Sequence, residues 1–186
     1  MKVIETPISG LILFAPAVYE DDRGYFFESF RASFFESLGL HRAFIQDNQA
    51  YSLRGTLRGL HFQTGSTAQA KLVRVPYGEV LDVAVDLRPD SATLGEHYAV
   101  RLNDINHLQL YVPAGFAHGY LVLSESAVFA YKCDNYYAPG TEDGIRYDDT
   151  LLNINWGLSP EELIISPKDR ALSSFAEYKS NLNKNL

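Results

Sequence analysis

Along much of the chain apolar residues recur at every second position, the period of a half-buried β-strand. The clearest case is 80–87, where Leu81, Val83, Val85 and Leu87 share one face and Asp82 and Asp86 lie on the other. Residues 70–75 alternate too, with Lys71 on the side of Val73 and Val75, and Leu72 with Arg74. Similar patterns predict strands at 11–14, 25–30, 44–53, 58–63, 97–102, 108–112, 120–123 and 128–137. In the last of these Tyr131, Cys133 and Asn135 fall on one face. Glycine, proline and asparagine punctuate these runs as turns, for example Tyr77-Gly78 and Ala138-Pro139-Gly140. Helical spacing is rare. Phe34, Phe35 and Leu38 predict a helix over 31–38 that Gly39 ends. A second helix is expected at about 170–179, leaving 180–186 as a mobile tail. About a dozen short strands with little helix predict an all-β sandwich or barrel, in one domain spanning 1–186. A parallel βαβ fold needs more helix.

Several residues sit awkwardly in this pattern. On 58–63, strict alternation sends Gly59, His61 and Gln63 one way and Arg58, Leu60 and Phe62 the other. Arg58 suits phosphate or carboxylate and His61 suits proton transfer. A strand end or a bulge beside Gly59 is needed if both are to reach one ligand. His61 alone fits a satisfied core hydrogen bond equally well. Lys71 beside two valines needs a partner or a task. Residues 113–119, Pro113-Ala114-Gly115-Phe116-Ala117-His118-Gly119, read as a tight turn that presents His118 at the start of the next strand. Glu28 lies between Phe26 and Phe30, and Gln46-Asp47-Asn48-Gln49 is a polar run within a strand, which also fits an exposed edge. Residues 142–149 read as an acidic loop, and Ser166 or Asp169 as a helix cap.

Composition narrows the partners. The 186 residues are 46% hydrophobic, so a packed core is expected. A net charge of −7 argues against a general nucleic-acid binder, yet leaves room for an anionic small molecule held by a few cations. One cysteine, Cys133, permits no internal disulfide and fits a reducing cytoplasm. The chain has no run long and apolar enough to span a membrane, and no signal-peptide pattern at its start.

The Pro113-x-Gly115-x-x-His118 segment resembles the second motif of the cupin superfamily, whose fold is a double-sheet jelly roll. Four segments together resemble the dTDP-4-dehydrorhamnose 3,5-epimerase family: Asp22-Arg23-Gly24-Tyr25-Phe26-Phe27-Glu28, Leu57-Arg58-Gly59-Leu60-His61-Phe62-Gln63, 113–119, and Ser166-Pro167-Lys168-Asp169. The likeness runs from about residue 2 to 175. It implies a cofactor-free epimerase acting on a dTDP-linked 4-keto-6-deoxyhexose. It also implies His61 as general base, Asp169 as its carboxylate partner, Tyr131 as acid on the opposite face and Lys71 near the sugar oxygens. Arg58 and His118 are implied in diphosphate and sugar contacts. Arg23, Phe26 and Glu28 are implied in holding the nucleotide across a homodimer with exchanged N-terminal segments. Gln46, Asp47, Asn48, Glu142 and Lys168 are further implied contacts.

Such chemistry is coherent with the residue types. Hydrogens on C3 and C5 are acidic beside the C4 ketone, so a base, an acid on the other face and a cation near the oxyanion are what the reaction needs. From spacing alone Asp82 or Asp86 could orient His61 as well as Asp169. Relatives that invert only C3 or only C5 share these motifs. Two departures from the family pattern, Tyr147-Asp148-Asp149-Thr150 and Thr64-Gly65-Ser66-Thr67, fall in loops. A metal-dependent cupin is a weaker alternative, because Gln63 and Lys71 stand where a His and a carboxylate ligand are expected. The third alternative is a carbohydrate-binding jelly roll without catalysis.

Overall fold

A computed structural model of the chain describes residues 1–41 and 43–184. The strands, in order, are β1 (Lys2–Glu5), β2 (Ile12–Ala15), β3 (Tyr19–Asp21), β4 (Gly24–Phe26), β5 (Gln46–Leu53), β6 (Thr56–Gln63), β7 (Lys71–Tyr77), β8 (Glu79–Asp86), β9 (His97–Asn103), β10 (Gln109–Val112), β11 (Phe116–Val122), β12 (Ser126–Cys133), β13 (Glu142–Gly144) and β14 (Ile164–Ile165). The helices are α1 (Ala32–Ser37), α2 (Pro167–Arg170) and α3 (Phe175–Lys184). One six-stranded sheet has the order β1-β2-β10-β7-β12-β5, and a second has β13-β6-β11-β8-β9 with β14 added parallel to β6. β3 and β4 form a separate hairpin.

The two sheets bury their facing sides against each other. Leu13, Val73, Val75, Leu110 and Phe129 of the first meet Val80, Ala84, Phe116 and Val122 of the second. Each of the larger side chains among these contributes about 1.5–3 kcal/mol by leaving water. Both outer faces are also covered. Phe35 of α1 packs on Phe14, Leu72 and Tyr111 outside the first sheet. Outside the second, Val83, Val85, Leu60 and Leu121 lie under a C-terminal cover that includes Trp156, Ile165 and Phe175. The apolar face of β8 therefore points outward beneath this cover, and Asp82 and Asp86 point into the space between the sheets, both fully buried.

Several expected boundaries shift. β11 begins at Phe116, so His118 sits within the strand and not at its start. The turn is confined to Ala114 and Gly115; Gly115 has φ +91°, and an added Cβ there would lie 2.8 Å from the Arg88 side chain. The first residues of the expected acidic loop form β13, which pairs Glu142 with Gln63. The expected last helix is split into α2 and α3, and the tail expected from residue 180 is helical to Lys184; residues 185 and 186 lie outside the described residues. Ser174 and Glu177 cause the break. The Glu177 amide donates to Ser174 Oγ, and the Ser174 amide and hydroxyl donate to Glu177 Oε2, starting a new helix after Ser174.

Candidate active site

The inner faces of the two sheets part to leave a cavity of about 640 Å³. β6 and β11 of the second sheet contribute Arg58, His61, His118 and Tyr120; β7 and β12 of the first contribute Lys71, Phe129 and Tyr131. Ser166, Lys168 and Asp169 close one side. A smaller space of about 280 Å³ shares His61, Lys71 and Tyr131 and adds Gln46, Asn48, Tyr137 and Glu142.

Arg58 and His61 share the cavity because β6 carries a bulge. His61 pairs with His118 and Arg58 with Tyr120, so Gly59 and Leu60 together oppose Gly119. Before the bulge Leu57 points outward, and after it Leu60 and Phe62 do. Alternation thus changes phase between Arg58 and His61. Gly59 has φ +135°, and a Cβ on it would lie 2.6 Å from Gly119 Cα. Only a residue without a side chain fits.

His61 Nε2 lies 2.9 Å from Asp169 Oδ1. An ionised carboxylate only accepts hydrogen bonds, so Nε2 carries the proton and Nδ1 keeps its lone pair in the neutral ring. Ser166 caps α2 by accepting the Asp169 amide at 3.0 Å, and the Gly59 amide donates to Asp169 Oδ2 at 3.3 Å. This cap is how a carboxylate 108 residues from His61 is held in line with it. Burial, the largest influence on Asp169, raises its pKa, but the bonds and charge of His61 with those of Gly59 and Ser166 bring it below the usual carboxylate value. Of the three aspartates that could orient His61, Asp82 bonds His118 instead, at 2.9 and 3.0 Å, and Asp86 is taken by Arg88, Ser91 and Thr93.

Across the cavity burial pushes the Tyr131 phenol up to about 12, with nearby Cys133 adding to the effect, so it stays protonated near neutrality. Burial pulls Lys71 below the ordinary lysine value, against the charges of Cys133, Asp82 and Glu142. Burial likewise pushes the Cys133 thiol to about 11. Arg58 reaches from one sheet to the other, with Nε and Nη2 each 3.3 Å from Ser52 Oγ. Glu142 accepts from Tyr137 at 2.7 Å and from Lys168. Burial raises the Glu142 pKa, but these two bonds bring it below its usual value.

Of the residues implied by resemblance, Arg58, His61, Lys71, His118, Tyr131, Lys168 and Asp169 line the main cavity, and Gln46, Asn48 and Glu142 the adjoining one. Asp47 faces the other side of β5 and accepts from Lys132 at 2.9 Å. Arg23 and Phe26 stand apart on the β3–β4 hairpin, Arg23 bonded to Asp21, and Glu28 bonds Arg31. Gln63 lies beside His61 in the smaller space, as alternation predicts, and its amide also holds loops: it donates to the Thr67 and Tyr136 carbonyls and accepts from the Ala138 amide. Among the described residues no three His, Cys, Asp or Glu side chains converge as a metal-ligating group. Ser52, Tyr120 and Tyr137 were missed. Ser52 was readable, since it shares the parity of Gln46 and Asn48 on β5. Nothing in the pattern separated Tyr120 and Tyr137 from the other tyrosines.

The family model for dTDP-4-dehydrorhamnose 3,5-epimerase matches residues 5–177. The chain belongs to this family. A dTDP-4-dehydrorhamnose 3,5-epimerase from Methanothermobacter thermautotrophicus is 49% identical over 170 residues, 91% of each chain. A crystal structure of an epimerase from Legionella pneumophila in complex with dTDP-4-keto-L-rhamnose is 46% identical, with a TM-score of 0.90 over 95% of this chain and 96% of that one. A 3'-monoepimerase from Streptomyces bikiniensis is 31% identical, with a TM-score of 0.87 over 96% and 89%. The fold is accordingly the cupin-type jelly roll, and the protein is an isomerase-class enzyme. No helix among the described residues is long and apolar enough to cross a membrane.

Proposed function

We propose that the protein inverts C3 and C5 of dTDP-4-dehydro-6-deoxy-D-glucose to give dTDP-4-dehydro-L-rhamnose, through an enolate and without a cofactor. The observation that carries this reading is that two sets of ionisable side chains face one cavity from opposite walls, His61 of β6 with Asp169 of α2 on one side and Lys71 of β7 with Tyr131 of β12 on the other. His61 Nδ1 takes the proton beside the C4 ketone. Asp169 holds Nε2–H and stabilises the imidazolium. Lys71 offsets the charge developing on O4. Tyr131 returns a proton from the opposite face, which inverts the carbon. Arg58 anchors the diphosphate, His118 contacts the sugar, and Gln46, Asn48, Glu142 and Lys168 hold the rest of the ligand. The lone Cys133 suits a reducing cytoplasm.

The nucleotide end is completed by a second copy of the chain in a homodimer. Its β3–β4 hairpin brings Arg23 and Phe26, and the segment just after the hairpin brings Glu28, with Asp47 at the rim. Support for this comes from the hairpin itself, which leaves Tyr19, Tyr25 and Phe26 exposed, Phe26 at 70%.

Incubation of the 4-keto sugar nucleotide with the protein in deuterated water, followed by NMR, tests the reading. Deuterium is expected at both C3 and C5, and His61→Ala should slow exchange by about 10²–10⁴-fold. Deuterium at C3 alone would favour a single-site epimerase, the activity named for the Streptomyces bikiniensis relative. No exchange by folded protein would sink the epimerase reading.

A further inference from the structure

A second histidine–carboxylate pair sits beside the first, and its purpose is not explained by proton abstraction. Asp82 is fully buried on β8, and both its oxygens reach His118 Nε2, at 2.9 and 3.0 Å. Among the described residues no other hydrogen bond reaches either side chain. The His118 ring also stacks near Phe129, with centroids 6.1 Å apart and planes at 29°. Burying an aspartate in the middle of a strand is costly unless its partner is worth fixing.

The carboxylate can only accept, so Nε2 carries the proton and Nδ1 of the neutral ring is left as an acceptor for the cavity that His118 lines. Lys71, on the opposite sheet, offers only donors. The two walls are therefore opposite in hydrogen-bonding sense. A 4-keto sugar has the same polarity: its carbonyl oxygen accepts only, and its neighbouring hydroxyls can donate. A wrongly turned ring would set carbonyl oxygen against a lone pair.

We infer that Asp82 is a positioning residue that fixes the Nε2–H tautomer of His118, so that His118 takes a sugar hydroxyl and the C4 carbonyl turns toward Lys71. Asp82 thereby selects which face of the ring meets His61. The inference rests on the epimerase reading for its substrate, and on geometry alone for the tautomer.

The two parts are tested separately. Two-bond proton–nitrogen NMR correlations on ¹⁵N-labelled wild-type protein should find His118 as the Nε2–H tautomer; an Nδ1–H tautomer overturns the inference before any variant is made. Asp82→Asn should mix the tautomers and lower kcat/KM by about 10²-fold, the usual scale for a misplaced reacting group. Its affinity for dTDP alone should be unchanged. The double variant Asp82→Asn/His118→Ala should be no slower than His118→Ala, since Asp82 acts through His118. Losses that multiply, or a fall in dTDP affinity matching the fall in turnover, assign Asp82 a structural role and overturn the inference. Should Asp82→Asn fail to fold, the wild-type tautomer decides. A wild type that has the Nε2–H tautomer but exchanges no deuterium overturns the epimerase reading and leaves the Asp82–His118 pairing standing.

Discussion

Lys71 shows at a single residue how function is set against stability. It shares its strand face with Val73 and Val75, which are buried, and among the described residues no carboxylate pairs with it. Burial lowers its pKa from 10.5, which means that the fold disfavours the ammonium relative to the unfolded chain. Removing that charge should stabilise: Lys71→Met is expected to gain about 1 kcal/mol in denaturant unfolding while losing turnover. A Lys71→Met protein less stable than wild type would contradict this. The same shift has a signature in pH. Below its lowered pKa Lys71 is charged and can offset an oxyanion; above it the charge is gone. The alkaline limb of kcat should therefore fall below the ordinary lysine range, while Tyr131, at about 12, is still protonated. Lys71→Arg, slower but always charged, should move that limb upward. A limb that stays in place would belong to another group.

At the scale of the element, the β6 bulge decides whether an active site exists. It rephases the strand so that Arg58 and His61 share a side, and it depends on the close approach of Gly59 to Gly119. Gly59→Ala should cost roughly 1–3 kcal/mol of stability from backbone strain. Its kcat/KM should fall further than unfolding explains when measured at a temperature where the variant is fully folded. Native-like turnover in folded Gly59→Ala would show that the bulge tolerates a side chain. Much of the fold was legible because alternation reports burial directly: β7, β8 and the inward Lys71 follow from period two alone. Phase was not legible past Gly59. A glycine within a strand signals a bulge without saying whether one occurs. Gly119 makes the Pro–Gly cluster look like a turn reaching His118, whereas the turn ends at Gly115 and Gly119 lies inside β11 opposite the Gly59 bulge. The break before α3 was readable as Ser174-Phe175-Ala176-Glu177, a capping box that the apolar spacing obscured. Asp169 could be joined to His61 only by resemblance, since 108 residues separate the two and the Ser166 cap that aims Asp169 is local to α2.

The whole molecule raises the question of what the β3–β4 hairpin is for. Arg23 and Phe26 are remote from the main cavity in their own chain, and Phe26 and Tyr19 are each about two-thirds exposed or more, at 70% and 67%. An exposed aromatic hairpin is poorly accounted for by the stability of one chain, and well accounted for by a neighbour that it enters. In a two-fold dimer each site would combine His61 of one copy with Arg23 of the other. Mixed dimers can test this. Arg23→Ala alone and His61→Ala alone should each be nearly inactive. Unfolded together and refolded as a mixture, they should recover activity. A mixed dimer has one site that lacks both residues and one that has both. With random pairing half the dimers are mixed, so recovery should approach roughly a quarter of wild type. If Arg23 instead served the site of its own chain, every site in the mixture would lack one of the two residues and no activity would return. Size-exclusion chromatography with light scattering on the same samples keeps the cases apart, because failure to recover is informative only when mixed dimers have formed.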